Sequence, residues 1–231
     1  MIRNPEQIQT LLADVRTFVR ERWHPMENTV EQMDHVPDDV VQELRQRGYF
    51  GWSIPEAYGG LGLSTEELIL AAFELSQASV ALRARVGTNT GIGSEALVAD
   101  GTEAQKQKWL PRMATGELTG CLALTEPDAG SEASNVQTTA RREGDEYVLN
   151  GRKCYITNAP IADVFVVWAK LEGEGDGQSA IRGFILEKGM KGLTAPKIEG
   201  KMSLRASITG EIVMDDVFVP EENMLPNVSG L

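Results

Sequence analysis

The stretch YVLNGRKCYITNAP, residues 147–160, decides how the second half of this chain folds. Its Asn150-Gly151 pair separates the apolar run 147–149 from the apolar run 154–156. Two-residue hairpin turns favour Asn-Gly, because both of their central positions need positive φ angles. The stretch therefore predicts two antiparallel strands that are joined by a tight turn at Asn150-Gly151.

Short strand-like runs continue on the C-terminal side of this stretch. Residues 164–169 are apolar at every position, which is typical of a strand that is buried on both faces. Residues 183–187 and 212–214 predict further strands, and the polar residues 172–180 predict the tip of a loop. The pattern indicates a β domain at about residues 118–231.

Two acidic clusters in this half are predicted to be solvated turns rather than paired catalytic acids. Asp215-Asp216 lies just before an apolar run and is expected in an edge turn, and residues 143–146 predict a hairpin turn. Cys121 and Cys154 lie within strand-like runs, so we expect both to be buried as small apolar side chains.

The first half of the chain instead shows helical periodicity. Asn4 is a suitable N-cap, and Pro5 suits the first helical position, where no intrahelical N–H bond is needed. Apolar residues then recur at the spacing of one helix face. They are Ile8, Leu11, Leu12, Val15, Phe18, Val19 and Trp23.

Further helices are indicated by their start and stop signals. A helix over about residues 38–47 is predicted to end at Gly48, because glycine favours the C-terminal cap. Ser64 and Thr102 each begin a capping box, in which a side chain three residues later returns a hydrogen bond. Pro111 is predicted to end or kink the helix after Thr102, because proline lacks a backbone N–H.

Residues 79–100, between these helices, have helical spacing but contain Gly87, Gly91 and Gly93. Each glycine costs a helix about 1 kcal/mol relative to alanine. We expect these glycines to let a neighbouring backbone or a ligand approach closely. The chain is thus predicted to be α+β, with an α-helical domain at about residues 1–117 before the β domain.

The composition of the 231 residues bounds the classes of function. Hydrophobic residues make up 42% and charged residues 24%, as in ordinary globular proteins. The net charge of -12 argues against non-specific nucleic-acid binding. No apolar run reaches membrane-spanning length, and the first ten residues lack the apolar core of a signal peptide. Two cysteines with no C-x-x-C pair indicate neither a disulfide framework nor a zinc site and fit the cytoplasm.

Five stretches, taken together, point to a family. They are IPEAYGG (54–60), KQKWLPRMATGE (106–117), LTEPDAGS (124–131), YVLNGRKCYITNAP (147–160) and LRASITGEIVMDDVFVPEENML (204–225). In this order they resemble the acyl-CoA dehydrogenases, flavoproteins that oxidise a fatty or organic acyl-CoA thioester to its α,β-enoyl form. The resemblance implies an N-terminal α-helical domain followed by an antiparallel β-barrel-like middle domain. The second half is most similar to the glutaryl-CoA branch, at residues 161–171, 181–189 and 204–213.

The resemblance also implies an FAD site on two segments. The Thr125 hydroxyl and nearby backbone N–H groups would face the pyrimidine edge of the flavin, and Gly130 would allow close approach. Ser131 would reach the flavin or the phosphate region of the ligand. The residues that the resemblance assigns to the cofactor are Leu122, Leu124, Thr125, Gly130, Ser131, Tyr155, Ile156 and Thr157.

Plainer interpretations of the same residues remain open. LTEPDAGS also suits a polar surface turn that is capped by Asp128 and Ser131. Tyr155 also suits an aromatic residue in the core of the barrel. Arg205 in SLRAS either positions the CoA or supports packing between the domains.

Arg83 is the substrate residue that the glutaryl-CoA branch implies, because it falls where that branch has an arginine for the distal carboxylate. A guanidinium group pairs well with a carboxylate through two parallel hydrogen bonds. The serine that accompanies this arginine falls at Gly87, and Arg85 lies close enough to be confused with Arg83. Ser131 is the second substrate contact that the resemblance implies.

Members of the family also have a C-terminal four-helix domain, which supplies the carboxylate that removes the α-proton. The sequence ends at Leu231, where this domain is expected to begin, so we predict no catalytic base within the chain and no activity of the chain alone. The resemblance implies an acyl-CoA substrate, an electron-transfer flavoprotein as acceptor and a homotetramer for the full-length protein. A non-catalytic remnant and an acyl-CoA oxidase-like flavoenzyme remain the alternatives.

Overall fold

The computed structural model describes residues 2–175, 177–228 and 230, so Asp176 in the predicted loop tip lies outside the described residues. The first half is helical, as the sequence predicts. Its helices are α1 (Pro5–Phe18), α2 (Glu27–Met33), α3 (Asp38–Gln46), α4 (Thr65–Leu75), α5 (Val80–Gly87), α6 (Glu95–Asp100) and α7 (Glu103–Ala114).

The predicted helix boundaries follow local chemistry. The Asn4 side chain accepts a hydrogen bond from the backbone N–H of Gln7, which satisfies a donor that α1 leaves free. Both capping boxes are present, at Ser64 and at Thr102. Gly48, which follows α3, has a φ of 72°, a conformation that glycine adopts without strain. Side-chain signals at the helix ends therefore carried these predictions.

The prediction that Pro111 ends α7 early is wrong, because the helix continues to Ala114, and the alternative of a kink stays a prediction. Pro111 lies close to the C-terminus of α7, where its missing N–H removes only one helical hydrogen bond. Trp109 and Met113, on either side of it, are buried in the protein core. Burial of this apolar face outweighs one lost hydrogen bond.

Residues 79–100 do not form one helix. They form α5 and α6, and residues 88–94 between them turn beneath the β domain. A Cβ atom at Gly93 would lie 3.0 Å from the carbonyl carbon of Gly120 and 3.1 Å from the backbone nitrogen of Cys121. The prediction that a glycine here admits a neighbouring backbone is therefore confirmed.

The second half is a curled sheet, which confirms the α+β class. Its strands are β1 (Gly120–Ala123), β2 (Thr139–Glu143), β3 (Glu146–Thr157), β4 (Val164–Leu171), β5 (Ile181–Glu187), β6 (Leu193–Thr194) and β7 (Thr209–Pro220). Over the described residues the order is β1-β4-β2-β3-β7-β6, with β5 also paired to β4. Most pairs are antiparallel as expected, but β4 pairs in parallel with β1 and β2, so the sheet is mixed.

The predicted hairpin at Asn150-Gly151 is wrong, because β3 runs through both residues as one strand. The register between β3 and β7 shifts there, and Asp216 of β7 has a positive φ of 48°. The Asn150 amide exchanges hydrogen bonds of 2.9 Å with the side chain and the backbone N–H of Asp216. The pair therefore forms a β-bulge, and Asp215-Asp216 lies within β7 rather than in an edge turn.

The hairpin turn lies instead between β2 and β3, at the predicted turn over residues 143–146, where Gly144 has a φ of 64°. The buried strand predicted at residues 164–169 is β4, and Cys121 and Cys154 are both buried with free thiols. Among the helices of the described ranges, none combines the length and the apolar composition that crossing a bilayer requires.

A shared apolar core joins the two halves. Trp109 and Met113 of α7 pack in one cluster with Val164 and Val166 of β4 and with Ile185 of β5. The helical half has a further core of its own around Trp23, and the sheet has one around Phe165. The shared cluster fixes the helices against the sheet where the candidate site residues lie.

Candidate functional site

The two predicted site segments lie side by side. The backbone N–H of Cys154 in β3 donates to the carbonyl oxygen of Thr125, which follows β1, over 2.9 Å. β1 itself is held in parallel register against β4, from Gly120 opposite Val164 onward. A short strand and one backbone hydrogen bond thus bring two segments that are far apart in sequence into direct contact.

The buried side chain of Lys153 holds these two segments together. This side chain is fully buried, and its ammonium group donates to the carbonyl oxygens of Leu124 at 3.2 Å and Trp168 at 2.6 Å. A third bond reaches the Glu126 carboxylate over 2.7 Å. Burial lowers the pKa of Lys153, although Glu126 favours its charged form. Lys153 thereby joins β3, β4 and the loop after β1.

Glu126 completes this network from within LTEPDAGS. Its carboxylate accepts hydrogen bonds from the backbone N–H and hydroxyl of Thr138 and from the backbone N–H of Gln137. Burial alone would raise the pKa of Glu126, but the bonds from Lys153, Thr138 and Gln137 outweigh burial and hold that pKa below its usual range. A fully bonded buried ion pair of this kind fixes a loop in one conformation.

The turn within LTEPDAGS is closed differently from the capped surface turn that its residues also suit. The backbones of Glu126 and Ala129 exchange hydrogen bonds of 3.1 and 3.2 Å, and the Glu126 side chain is turned inward. Gly130 and Ser131 follow in an exposed position. A Cβ atom at Gly130 would meet no atom of the chain within 4 Å, so packing within the described residues does not require a glycine there.

Tyr155 presents an aromatic ring on strained backbone. Its φ is 58°, which costs a residue with a Cβ atom roughly 1–2 kcal/mol. The register between β3 and β7 shifts between Lys153 and Ile156, and this bulge leaves Tyr155 73% exposed. Its interpretation as a core aromatic is therefore wrong. Strained, exposed aromatic residues are uncommon without a ligand to contact.

The neighbours of Tyr155 alternate in burial. Ile156 packs in the sheet core, so only its backbone remains to face a ligand, whereas Thr157 is half-buried on the side of Tyr155. Leu122 and Leu124 are also half-buried, as is Thr125. Four of the predicted cofactor residues are thus half-buried, the Tyr155 ring is exposed, and the Ile156 side chain is buried.

Asn158 connects the end of β3 to α5. It is 1% exposed, has a φ of 64°, and its side-chain amide donates to the carbonyl oxygen of Ala84 over 3.1 Å and to the hydroxyl of Thr88 over 3.0 Å. Arg83 lies in α5 and is exposed. Arg83 thus precedes, in sequence, the residue that binds Asn158, and its own side chain lies next to Gly87.

Gly87 leaves space for the guanidinium group of Arg83. A Cβ atom at Gly87 would lie 2.2 Å from Nη1 of Arg83, one helical turn earlier. The serine of the glutaryl-CoA branch is thus replaced by a residue over which the arginine folds. Arg85, two positions along, points to another side of α5, over the ring of Phe50 at 5.2 Å.

Asn89 and Arg205 hold the two domains together around the site. The Asn89 side chain accepts from the Gly120 N–H over 2.9 Å and donates to the carbonyl oxygens of Met113 and Leu118. The guanidinium group of Arg205 donates to the carbonyl oxygen of Glu31 in α2 at 3.1 and 3.0 Å. Of the two interpretations of Arg205, these contacts favour packing between the domains.

Comparison with known proteins agrees with this arrangement. The family model for the acyl-CoA dehydrogenase N-terminal domain matches residues 5–117, and that for the acyl-CoA dehydrogenase middle domain matches residues 121–217. The chain belongs to the acyl-CoA dehydrogenase family. An acyl-CoA dehydrogenase of Bacillus subtilis is 37% identical over 211 residues, which cover 91% of this chain and 55% of that protein.

Solved structures extend the similarity to three dimensions. The glutaryl-CoA dehydrogenase of Mycobacterium smegmatis in complex with FADH2 matches with a TM-score of 0.86 and 35% identity, over 99% of this chain and 57% of that one. The butyryl-CoA dehydrogenase of Megasphaera elsdenii matches with a TM-score of 0.90 and 33% identity, over 100% and 61%. The chain spans about half the length of the curated relatives that it matches.

Four residues that hold the two segments and the two halves in place were not evident from the sequence: Asn89, Glu126, Lys153 and Asn158. Glu126 and Lys153 lie inside motifs that carry the family resemblance. They bind each other although they are 27 positions apart in the sequence. A lysine that follows Asn-Gly-Arg looks solvent-exposed in sequence, and Asn89 and Asn158 look like ordinary loop residues. The available signal for Lys153 was its place directly before the apolar run 154–156.

Proposed function

We propose that this chain forms the FAD-binding and acyl-CoA-binding part of an enzyme that dehydrogenates an acyl-CoA thioester at its α and β carbons. The observation that carries the proposal is that the segment with Leu122, Leu124 and Thr125 contacts the segment with Tyr155 and Thr157, and we propose that together they form the cofactor surface. Its two segments are tied together by the bond between Cys154 and Thr125 and anchored by the buried ion pair beneath.

The surface fits a flavin ring in its chemistry. Apolar side chains and the exposed, strained ring of Tyr155 suit a flat aromatic cofactor, which gains stability by stacking. The hydroxyl groups of Thr125 and Thr157 can donate to the polar edge of such a ring. When bound, FAD supplies the acceptor for the hydride that leaves the β carbon. Leu122, Leu124, Gly130, Ser131 and Ile156 remain proposed contacts.

In this proposal the residues of the chain hold the bound cofactor and fix the groups that contact it. The bonds from Lys153 to Leu124 and Glu126 keep the loop after β1 rigid, so the threonine hydroxyl group does not have to be ordered on binding. A fixed donor costs no reorganisation while negative charge develops on the bound ring. We further propose that the carboxylate that removes the α-proton lies outside this chain, since the matched residues cover only 55% of the Bacillus subtilis relative.

Glutaryl-CoA is the substrate that we propose for the finer specificity. Arg83 is exposed, precedes in sequence the residue that binds Asn158, and makes no ion pair with any described residue of the chain. Such a guanidinium group would bind the distal carboxylate of a dicarboxylic acyl group. Gly87 supplies no hydroxyl group to assist, so the arginine would carry this recognition without the serine.

The remaining proposals concern the surroundings of the enzyme. An electron-transfer flavoprotein is the proposed electron acceptor, and a homotetramer is the proposed assembly of the full-length protein. The two buried free cysteines, Cys121 and Cys154, support a reducing compartment such as the cytoplasm.

Titration of the 231-residue chain with FAD tests the cofactor proposal, with the quenching of flavin fluorescence as the readout. We expect a yellow complex, and we expect Tyr155→Ala to weaken FAD binding about tenfold, as loss of ~1.4 kcal/mol of ring contact would do. Phe218→Ala is the matched control. Phe218 is an exposed aromatic residue of β7, and it lies opposite Val148, at the end of the β3–β7 pair away from Tyr155. A chain that stays colourless in excess FAD would contradict the proposal.

The glutarate proposal is tested by kinetics on the polypeptide that the gene encodes. Arg83→Ala should raise the KM for glutaryl-CoA about ten- to a hundredfold, because a charge-assisted hydrogen bond contributes roughly 1.5–3 kcal/mol. The KM for butyryl-CoA should not change, since butyrate has no distal carboxylate. Arg20→Ala, at an exposed arginine of the helical half, is the control. Equal effects of Arg83→Ala on both substrates would rule out the proposed role.

A further inference from the structure

A second pocket, separate from the proposed flavin surface, lies where the helical half meets the sheet. It has a volume of about 290 Å³. Ligand pockets for drug-sized molecules usually measure about 300–1,000 Å³, so this one suits a small ligand. Its lining comes from the loop before α3, from α3 and α5, from the turn after β3 and from the loop before β7, and it includes Asp38, Ala81, Arg85, Asn158, Ile161 and Ile208.

Arg85 provides an unsatisfied cation in this pocket. Its Nη1 atom is buried and has no hydrogen-bond partner within the described residues, and the guanidinium group stands over the ring of Phe50. Burial and the charge of Arg45 lower the pKa of Arg85 to about 10, against the opposing charges of Asp163 and Asp38. Buried donors of native proteins are nearly always bonded, so this donor is available to a ligand, an ion or an ordered water molecule.

The rest of the lining defines what kind of anion would fit. Val41, Ala81 and Ala206 are buried apolar side chains, and Ile161 and Ile208 add half-buried ones. Asp38 is exposed on the lining, so a multiply charged anion such as phosphate or sulfate would meet repulsion there. A single negative charge attached to a short apolar chain satisfies both the cation and these walls.

We propose that this pocket binds a short-chain monocarboxylate, whose carboxylate group contacts Arg85 and whose hydrocarbon chain lies against Ala81, Ile161 and Ile208. The site is distinct from the position of Arg83. Successive helical residues are about 100° apart, so Arg83 and Arg85 point to sides of α5 that differ by about 200°. Arg83 folds over Gly87, whereas Arg85 faces Phe50 and the pocket.

Occupancy of the pocket would act at the domain junction. Asn158 lines it and also holds α5 through the carbonyl oxygen of Ala84 and the hydroxyl of Thr88. A ligand there contacts α3, α5 and two segments of the β half at the same time. The bound ligand therefore raises the melting temperature of the chain, since only the folded state presents all these elements together.

The experiment uses isothermal titration and thermal melting of the 231-residue chain with sodium hexanoate at constant ionic strength. Hexanamide serves as the uncharged analogue, and sodium sulfate as the divalent anion. We expect hexanoate to bind at least ~10-fold more tightly than either and to raise the melting temperature, because the charge-assisted bond needs the carboxylate and the walls need the chain.

Variants locate the bound hexanoate. Arg85→Gln should weaken hexanoate binding at least ~10-fold and abolish the shift in melting temperature. Ala206→Leu, which fills the pocket and retains Arg85, should do the same and serves if Arg85→Gln does not fold. Arg83→Gln and Arg20→Gln should bind hexanoate like the original chain.

Four results would overturn the proposal. They are no binding of hexanoate to the original chain, equal binding of hexanamide, retained binding by folded Arg85→Gln, and loss of binding in Arg83→Gln. The last of these would place the carboxylate at the proposed substrate arginine instead.

Discussion

Lys153 and Arg85 are two cations that the fold removes from bulk water, and their surroundings are opposite. Lys153 donates to three oxygen atoms, one of them from the Glu126 carboxylate. Arg85 stands over the ring of Phe50, and its Nη1 atom has no partner within the described residues. A completed network makes a rigid support, whereas an incomplete one leaves an interaction for a molecule from solution.

The largest expected effect comes from breaking the completed network. Glu126→Gln leaves the buried ammonium group of Lys153 without its counter-ion, so the free energy of unfolding should fall by about 3–5 kcal/mol. Urea denaturation, followed by tryptophan fluorescence, measures this change. Glu146→Gln, at an exposed position of β3, should stay within about 0.5 kcal/mol of the original chain.

Dependence on pH gives a second view of the same group. The pKa of Glu126 is lower in the folded chain than in the unfolded one, so its contribution is complete above the unfolded pKa of about 4.3. That contribution is lost as the pH falls through the folded value. The difference in unfolding free energy between the original chain and Glu126→Gln should therefore shrink below about pH 4. A difference that is constant from pH 7 to pH 3 would contradict the role of the ionised carboxylate.

The next largest change in unfolding free energy is expected where the helical half meets the sheet. Asn158→Ala removes the bonds to Ala84 and Thr88 and places a Cβ atom without a polar group at a φ of 64°. We expect a loss of about 2–4 kcal/mol in unfolding free energy, from unbonded acceptors and from strain. Asn158→Gly is the control, because it removes the same bonds without the left-handed strain, and it should cost about 1 kcal/mol less. Equal losses would show that the backbone conformation carries no strain.

A smaller change, an increase in unfolding free energy, is expected at the exposed Tyr155. Tyr155→Gly relieves the strain at a φ of 58° and should raise the free energy of unfolding by about 1 kcal/mol, while FAD binds more weakly. Leu204→Gly is the matched control, since Leu204 is another exposed residue with a positive φ, in the loop before β7. It should gain similar stability and leave FAD binding unchanged. Loss of stability in Tyr155→Gly would mean that the ring is held by the chain itself.

The smallest expected change in stability belongs to Arg85. Arg85→Gln removes a largely buried cation that lacks a hydrogen-bond partner at Nη1, so the unliganded chain should keep its melting temperature or gain slightly. Differential scanning calorimetry of Arg85→Gln, Glu126→Gln and the original chain compares the three melting temperatures. A loss as large as that of Glu126→Gln would remove the contrast between the two cations.

Local signals in the sequence predicted much of the fold, and long-range ones did not. Asn4, Ser64 and Thr102 act on backbone groups within three residues, so their roles follow from the sequence alone. Asn150-Gly151 marks a place where the backbone bends, but the dipeptide does not specify which strand lies opposite. That strand is β7, more than 60 positions away, and the bend became a bulge.

The candidate site divides in the same way. The family resemblance pointed to residues 122–131 and 155–157, and the structure brings these segments together. The resemblance could not show that Glu126 and Lys153 hold these segments in place. An ion pair depends on burial and on partners that only the fold supplies. The exposure of Tyr155 was likewise hidden, since strand alternation alone does not reveal a register shift.

The crossing of Gly93 over the start of β1 limits how this chain can be recombined with its relatives. A Cβ atom at Gly93 would come within 3.0 Å of Gly120, and one at Gly120 would come within 2.5 Å of the terminal carbon of Met113. A chimera that takes its helices from one parent and its sheet from another inherits both sides of this contact from different genes. Breakpoints between α7 and β1 should therefore yield well-folded proteins most often when the parent of the helices carries glycine at position 93, because its neighbours there are backbone atoms that cannot move aside.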